Sequence, residues 1–257
     1  AGKSVVTSNK ELIATHGAEL LSIARDKGVM LLFEASVGGG IPIIRPLHQC
    51  LAANNINRVV GILNGTTNFI LTKMIKSGMG FDEALKIAQE LGYAERNPAA
   101  DVEGHDTVRK ICILSSLAFG RHVYPHMVET CGITGISKTD IEYAELWGGV
   151  IKLLGYAERI NEDEILAWVS PALVPAGHQL AGIEDVYNGI IVSGDATGDV
   201  MFYGRGAGKF PTASAVIADV IDCVRHRDNI RRIIWEDACQ GYVRQASKIR
   251  MDYYFRY

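Results

Sequence analysis

The chain opens on a short β-branched run, KSVVT, followed by ELIATHGAELLSIARDKG, where Leu12, Ile13, Leu20, Ile23 and Ala24 recur at helical spacing. Ser8 or Asn9 is placed to cap that helix and Gly28 to stop it. VMLLFEA is then a continuous apolar run, the pattern of a strand buried on both faces. A β-α-β unit normally sits inside a longer alternating sheet, so the chain is expected to begin in the middle of a domain.

RPLHQCLAA reads as a helix. NRVVGILNGTTNFILTKMIKSG reads as a strand, an NGTT turn and a helix with Phe69, Ile70, Met74 and Ile75 on one side. FDEALKIAQELGYA is a further helix that starts near Phe81 or Asp82 and stops at Gly92. The irregular stretch RNPAADVEGH leads into a helix that runs to about Phe119. GGVIKLLGYAERINEDEILAWVSPALVP predicts two strands joined by the acidic turn NEDE, and strand-like IEDVYNGIIVSGDATGDVMFYGRG follows. Together they predict an antiparallel sheet of three or more strands. A helix begins near Pro211. Residues after it read as tail or linker, with DYYFRY resembling the first strand of something further.

Composition narrows the classes. At 48% hydrophobic and 21% charged, the chain is ordinary globular protein. A net charge of −3 provides no basic field for nucleic acid or an anionic membrane. No apolar run approaches the roughly 20 residues of a transmembrane helix. The five cysteines, Cys50, Cys112, Cys131, Cys223 and Cys239, are odd in number and scattered. They form neither a zinc motif nor a disulfide framework, so reduced, cytoplasmic thiols are expected. Cys112, inside ICILSS, reads as core.

Two glycine-rich stretches invite a phosphate-binding reading and fail it. GRGAGKFPT has Tyr203 where a P-loop needs its first glycine and Phe210 where it needs Ser or Thr. Gly38, Gly39 and Gly40 follow an apolar run without the dinucleotide spacing. Gly204, Gly206 and Gly208 still fit either a tight sheet-to-helix turn or a corner whose exposed backbone meets a polar ligand group. His105 reads as solvated, as do His48, His122, His126 and His178, and no Ser-His-Asp constellation is legible.

The most polar stretch, GYAERNPAADVEGHDTVRK, gathers Glu95, Asp101, Glu103 and Asp106 ahead of Arg109 and Lys110. Asp106 and Lys110 are one helical turn apart and share a face. Spacing alone fits a surface ion pair of about 0.3–0.5 kcal/mol. An irregular loop before the helix and a strongly apolar run after Lys110 fit an acid/base lysine at a buried edge instead, with carboxylates to hold a substrate ammonium.

Taken in order, VVTSNK, FEASVGGGIPII, NGTTNFI, LGYAERNPAADVEGHDTVRK, VSPALVP and GDVMFYGRGAGKFPTASAV resemble the homoserine dehydrogenase family across about residues 4–220. The resemblance implies NAD- or NADP-dependent, reversible oxidation of L-homoserine to aspartate semialdehyde, on the route to threonine, methionine and isoleucine. It implies that Lys110 is the proton donor and acceptor and that Lys10 is a second active-site lysine near the nicotinamide. It implies that Glu95, Asp106, Asp101 and Thr66 face the substrate and that Gly208 contacts the cofactor. Glu34, Val37, Gly39 and Ile41 match a monovalent-cation site, usually sodium, built mostly from backbone carbonyls.

The implied fold is mixed α/β (α+β): a partial Rossmann-type domain (residues 1–33 and 205–225), a dimerisation region (34–43 and 151–204), a catalytic domain with a mixed sheet and helices (44–150), and a linker (226–257) towards an ACT domain. A homodimer or higher homo-oligomer is implied, with no nucleic-acid or membrane partner. The family's opening strand–GxGxxG–helix and its NAD-or-NADP selecting residue are absent from this chain, so these residues alone are expected to bind dinucleotide poorly and turn over little. Two rivals stand beside this reading. A cysteine-dependent semialdehyde dehydrogenase needs a reactive Cys with a His partner, a context Cys50 and Cys131 lack. A non-catalytic dimerisation or regulatory fragment would not need Lys10, Glu95, Asp106 and Lys110 together.

Overall fold

Val5–Val6 (β1) and Leu31–Leu32 (β2) pair in parallel and are linked by helix α1, Lys10–Asp26, whose N-terminus is capped by the Asn9 side chain accepting from Leu12 N. The computed structural model describes residues 2–230, 232–239, 241–246, 252 and 254. The buried stripe of α1 is Ile13, Ala14, Gly17, Leu21 and Ala24, whereas Leu12 and Ile23, expected to lie inside, are exposed. The expected long strand over VMLLFEA stops after Leu32, and Glu34–Ser36 form a single 3₁₀ turn. The cause is Glu34. Its buried carboxylate accepts from the N–H groups of Ile43 (2.7 Å), Ile44 (2.8 Å) and Arg45 (2.8 Å), which folds the chain back on itself. The helix expected over RPLHQCLAA is one wide turn, Pro46–Cys50, closed by Leu51 N donating to Pro46 O.

The main sheet begins with β3, Ile56–Ile62. Helices α2 (Gly65–Ser77), α3 (Phe81–Glu90), α4 (Ala99–Val102) and α5 (His105–Phe119) follow. After them come the short β4 (Glu129–Thr130) and α6 (Lys138–Leu146), then β5 (Gly149–Arg159), β6 (Ile165–Pro175), β7 (Tyr187–Gly194), β8 (Gly198–Arg205), α7 (Lys209–Arg225) and β9 (Val243–Arg244). Strand order is β4-β6-β5-β3-β7-β8. The central pairs are antiparallel, and β4 and β9 lie parallel to β6. The sheet is therefore mixed, as expected.

Alternation along the strands gives two apolar faces. Val59, Leu153, Ala157, Val169 and Ile190 belong to the large core with α2 and α5. Gly155 lets α5 approach closely, since a Cβ there would sit 3.2 Å from Ile111 and Thr107. On the opposite face Val60, Ile62, Leu154 and Ile191 pack with Leu180 and Ile183 of the 176–186 connection. Phe69, Ile70 and Met74 of α2 are buried as their spacing predicts.

The stretch read as tail or linker folds back onto this body. Trp235 and Tyr242 are buried, Glu236 exchanges backbone hydrogen bonds with Gly120 and His122, and Tyr242 O accepts from Ile165 N ahead of β9. Two large aromatics in a segment without periodicity account for the difference, because each buries enough surface to hold chain that has no helical or strand pattern. His122, expected to be solvated, is fully buried under Trp235, with Nε2 2.9 Å from Ala14 O, and burial pulls its pKa down. Of DYYFRY only Asp252 and Tyr254 are among the described residues.

Candidate active site

Helix α5 starts at Gly104, which adopts φ +88° and offers no side-chain cap. Asp106 in its first turn complements the helix dipole. One turn on, Lys110 Nζ lies 2.8 Å from Asp106 Oδ2 and donates to Leu63 O at 2.7 Å. Lys10, the first residue of α1, reaches the other oxygen of the same carboxylate, with Nζ 2.6 Å from Oδ1. Two lysines from distant parts of the chain therefore share one aspartate. Asp106 and Lys110 are buried, while the Lys10 side chain is 41% exposed, so the cluster opens on the Lys10 side. Arg109 Nε, 2.9 Å from Glu11, ties α5 to α1 beside it.

Asn64 joins these groups to the rest of the polar stretch. Its Oδ1 caps α2 by accepting from Thr67 N at 2.8 Å, and its Nδ2 donates to Asp106 Oδ2 (2.9 Å) and Asp101 Oδ1 (2.7 Å). The Thr66 hydroxyl donates to Tyr93 O at 2.6 Å, which fixes the loop carrying Glu95 against the start of α2. Glu95 itself is exposed, and its carboxylate is not joined to the cluster. The geometry thus unites Lys10, Asp101, Asp106 and Lys110, brings Thr66 alongside, and leaves Glu95 at the rim.

Sequence reading missed Asn64. The NGTT turn was legible as a helix start, and an Asn before a helix is a cap signal. The donation of its amide to two carboxylates far along the chain left no local trace.

The electrostatics follow from burial and charge. Burial alone would raise the Asp106 carboxyl, but the adjoining charges of Lys110 and Lys10 outweigh it and hold Asp106 well below the ordinary carboxylate range. Asp101 is moved the other way, chiefly by burial and in part by the Asp106 charge, against the Asn64 hydrogen bond. Counting Glu95, the set has three carboxylates and two lysines, a balance of −1 suited to an ammonium-bearing ligand.

The two glycine runs meet. Gly40 N donates to Arg205 O at 2.9 Å, and a Cβ on Gly39 (φ +51°) would fall 2.6 Å from Gly206 O. Gly208 (φ +123°) opens α7 without a side-chain cap, leaving backbone N–H groups at a helix N-terminus, which fits a polar or anionic part of a dinucleotide. In the 34–41 segment the Glu34 carboxylate is already taken by three backbone donors. Among the described residues no group of three His, Cys, Asp or Glu is placed to hold a metal ion, and no helix is long and apolar enough to cross a membrane.

Comparison with known proteins gives consistent matches. Residues 42–221 match the family model described as homoserine dehydrogenase. A homoserine dehydrogenase of Synechocystis is 52% identical over 225 residues, covering 86% of this chain and 52% of that protein. The chain thus spans about half the length of the curated relatives it matches. The crystal structure of a homoserine dehydrogenase from Thiobacillus denitrificans superposes with a TM-score of 0.89 at 43% identity, over 93% of this chain and 57% of that one. A hyperthermophilic archaeal homoserine dehydrogenase in complex with NADPH superposes with a TM-score of 0.76 at 30% identity, over 90% of this chain and 66% of that one.

Proposed function

The chain belongs to the homoserine dehydrogenase family, and on that premise we propose that the protein it comes from oxidises L-homoserine reversibly to aspartate semialdehyde with NAD or NADP. The observation that carries this reading is the sharing of the Asp106 carboxylate by Lys110 and Lys10 at an edge open on the Lys10 side. Lys110 is the acid/base. In the reductive direction its ammonium gives a proton to the oxygen of the semialdehyde. In the oxidative direction the free amine takes the hydroxyl proton of homoserine. Asp106 holds both lysines in place and, with Asp101, Thr66 and the rim carboxylate Glu95, receives the amino-acid part of the substrate.

The nicotinamide, when bound, supplies the oxidising power by accepting a hydride from the carbinol carbon. Gly208 and the α7 N-terminus, with Lys10, are the groups of this chain that would hold it. A monovalent cation such as Na⁺ on the carbonyls of Glu34, Val37, Gly39 and Ile41 would pin the bend that brings the two glycine runs together. Alignment of these groups and one proton transfer are the protein's contribution to the rate.

The part of the second sheet face that the 176–186 connection leaves uncovered supports a homodimer. Tyr156 stacks on Trp168 at 4.9 Å there, and Met201 and Tyr203 point out of it partly exposed. Residues 1–33 with 205–225 belong to the nucleotide-binding part, 34–43 with 151–204 to the dimer region and 44–150 to the catalytic part. The setting is cytoplasmic amino-acid biosynthesis leading to threonine, methionine and isoleucine. The cysteine-dependent alternative finds no support, since burial pushes the Cys112 thiol up, away from thiolate, and no cysteine joins the cluster.

The test is homoserine-dependent reduction of NAD⁺ and NADP⁺ by the full-length gene product beside its Lys110→Met variant. A fall in kcat of about 10²–10⁴ is expected. A folded variant with parental turnover would move the proton transfer away from Lys110, with Lys10 next in line. A parent inert with both cofactors would refute the activity.

A further inference from the structure

Asn188 interrupts the apolar strand β7 and is almost completely buried, 2% exposed. Its Oδ1 has no hydrogen-bond partner among the described residues. A leucine has the same branching, although it is bulkier, and beside Ile190, Ile191 and Val192 it would strand no polar atom. An unpaired buried amide oxygen is destabilising, so its presence calls for a role other than stability.

Its neighbours indicate that role. A Cβ on Gly206 would lie 2.1 Å from Asn188 Nδ2 and 2.4 Å from its Cγ, so the amide occupies the hollow Gly206 leaves. A Cβ on Gly65 would lie 3.5 Å from Asn188 Oδ1. Gly65 begins α2 directly after Asn64, which bonds Asp101 and Asp106. Gly206 is packed on Gly39 and lies two residues before Gly208 at the start of α7. One planar amide therefore stands between the corner that positions the catalytic carboxylates and the corner assigned to the dinucleotide.

We propose that Asn188 is a positioning residue that sets the spacing between these two glycine corners, and through them the alignment of substrate with nicotinamide. This rests on the homoserine dehydrogenase reading. The amide touches neither substrate nor Lys110. It acts by holding Gly206 at the distance its own thickness dictates.

The test compares Asn188→Leu with the parent full-length protein. The variant is expected to melt within about 4 °C of the parent, while kcat/KM falls at least about 10-fold, with the loss in kcat and in KM for the dinucleotide; misplacement of reacting groups by about 1 Å can cost about 10². A folded Asn188→Leu protein with parental kcat and KM overturns the proposal. A second pair keeps it falsifiable should that variant not fold. Gly206→Ala drives a methyl into the amide, and Gly206→Ala with Asn188→Ala makes room for it. The double variant is expected to regain the parental melting temperature without regaining kcat. Recovery of both together would make Asn188 mere filler. Turnover by the parent tests the family reading separately. In a parent that does not turn over homoserine, NADPH binding followed by fluorescence decides, with about ten-fold weaker binding in Asn188→Leu expected and equal binding overturning the proposal.

Discussion

Lys110 on α5 and Lys152 on β5 are both almost sealed from solvent, and their surroundings differ. Lys152 donates to two neutral oxygens, Asn68 Oδ1 at 3.0 Å and Ile183 O at 2.5 Å, beneath the connection that covers one sheet face. Burial pulls its pKa down to about 8, against the Glu184 charge. Judged by pKa alone, Lys152 is the natural base. Lys110 meets a carboxylate that a second, half-exposed lysine also holds. The comparison teaches that a desolvated amine makes a site only where charged partners and an opening accompany it. Asn68, which also donates to the carbonyls of Ile183, Asp185 and Tyr187, makes the Lys152 pocket a clamp on the 183–187 chain rather than a place for a ligand.

The largest effect expected from breaking this contrast is on the carboxylate. Asp106→Asn leaves Lys110 buried without its paired carboxylate, at a cost of about 3 kcal/mol, the low end for a broken buried pair because the amide oxygen still accepts and Asp101 stays near. The Lys10 half is solvent-screened and adds little. The sign with pH is fixed. The folded-state pKa of Asp106 is depressed, so its stabilisation is complete above the ordinary carboxylate value and is lost as pH falls through the lower folded value. Urea unfolding of parent and variant should show a gap that is constant around neutrality and begins to narrow only below about pH 4. A gap independent of pH would mean that Asp106 acts by shape alone.

Lys152→Met sharpens the other side, with homoserine turnover expected to stay within about three-fold of parent because its partners are neutral and structural. Its pH signature runs opposite to that of Asp106. The folded pKa lies below the unfolded value, so the burial penalty is complete below about pH 8 and is relieved as pH rises towards 10.5. Between pH 7.5 and 9.5 the parent should gain about 2 kcal/mol on the variant. A parallel response of the two proteins, or a hundred-fold loss of turnover in the variant, would end the distinction between the two lysines.

What the sequence made legible divides along the same line. Apolar strand-like runs and the acidic turn NEDE located β5 to β8, helical spacing located α2, α3 and α5, and the one-turn separation of Asp106 and Lys110 placed them on one face. Periodicity reports which face of an element is apolar. It does not report which distant polar group meets the other face. Lys10 entered the site only through the resemblance to a family, and its pairing with Asp106 left no trace in the sequence. Glu34 ended an apolar run because its carboxylate serves three N–H groups about ten residues on. Trp235 and Tyr242 anchored a stretch with no pattern, and Asn188 sat unremarked in YNGIIV. Each miss is a polar or aromatic contact between segments far apart in the chain, where local propensity carries no signal.

The smallest effect separates the two functions of Asn64. Serine is as good a helix cap as asparagine, so Asn64→Ser should keep the start of α2 and change stability by no more than about 1 kcal/mol. It cannot keep the amide donation to Asp101 and Asp106. Without that bridge Asp106 relies on its lysines alone and Asp101 loses the bond that opposes its raised pKa, so it takes up a proton more readily. The expected result is a KM for homoserine raised about 3- to 10-fold, the equivalent of about 1 kcal/mol for a lost hydrogen bond, and more so in mild acid, where a protonated Asp101 no longer attracts an ammonium. An unchanged KM at pH 6 and pH 8 with a lower melting temperature would reduce the amide bridge to a structural bond. An unchanged melting temperature with a raised KM would show that the residue opening α2 also connects the substrate carboxylates to the lysine whose burial first resembled that of Lys152.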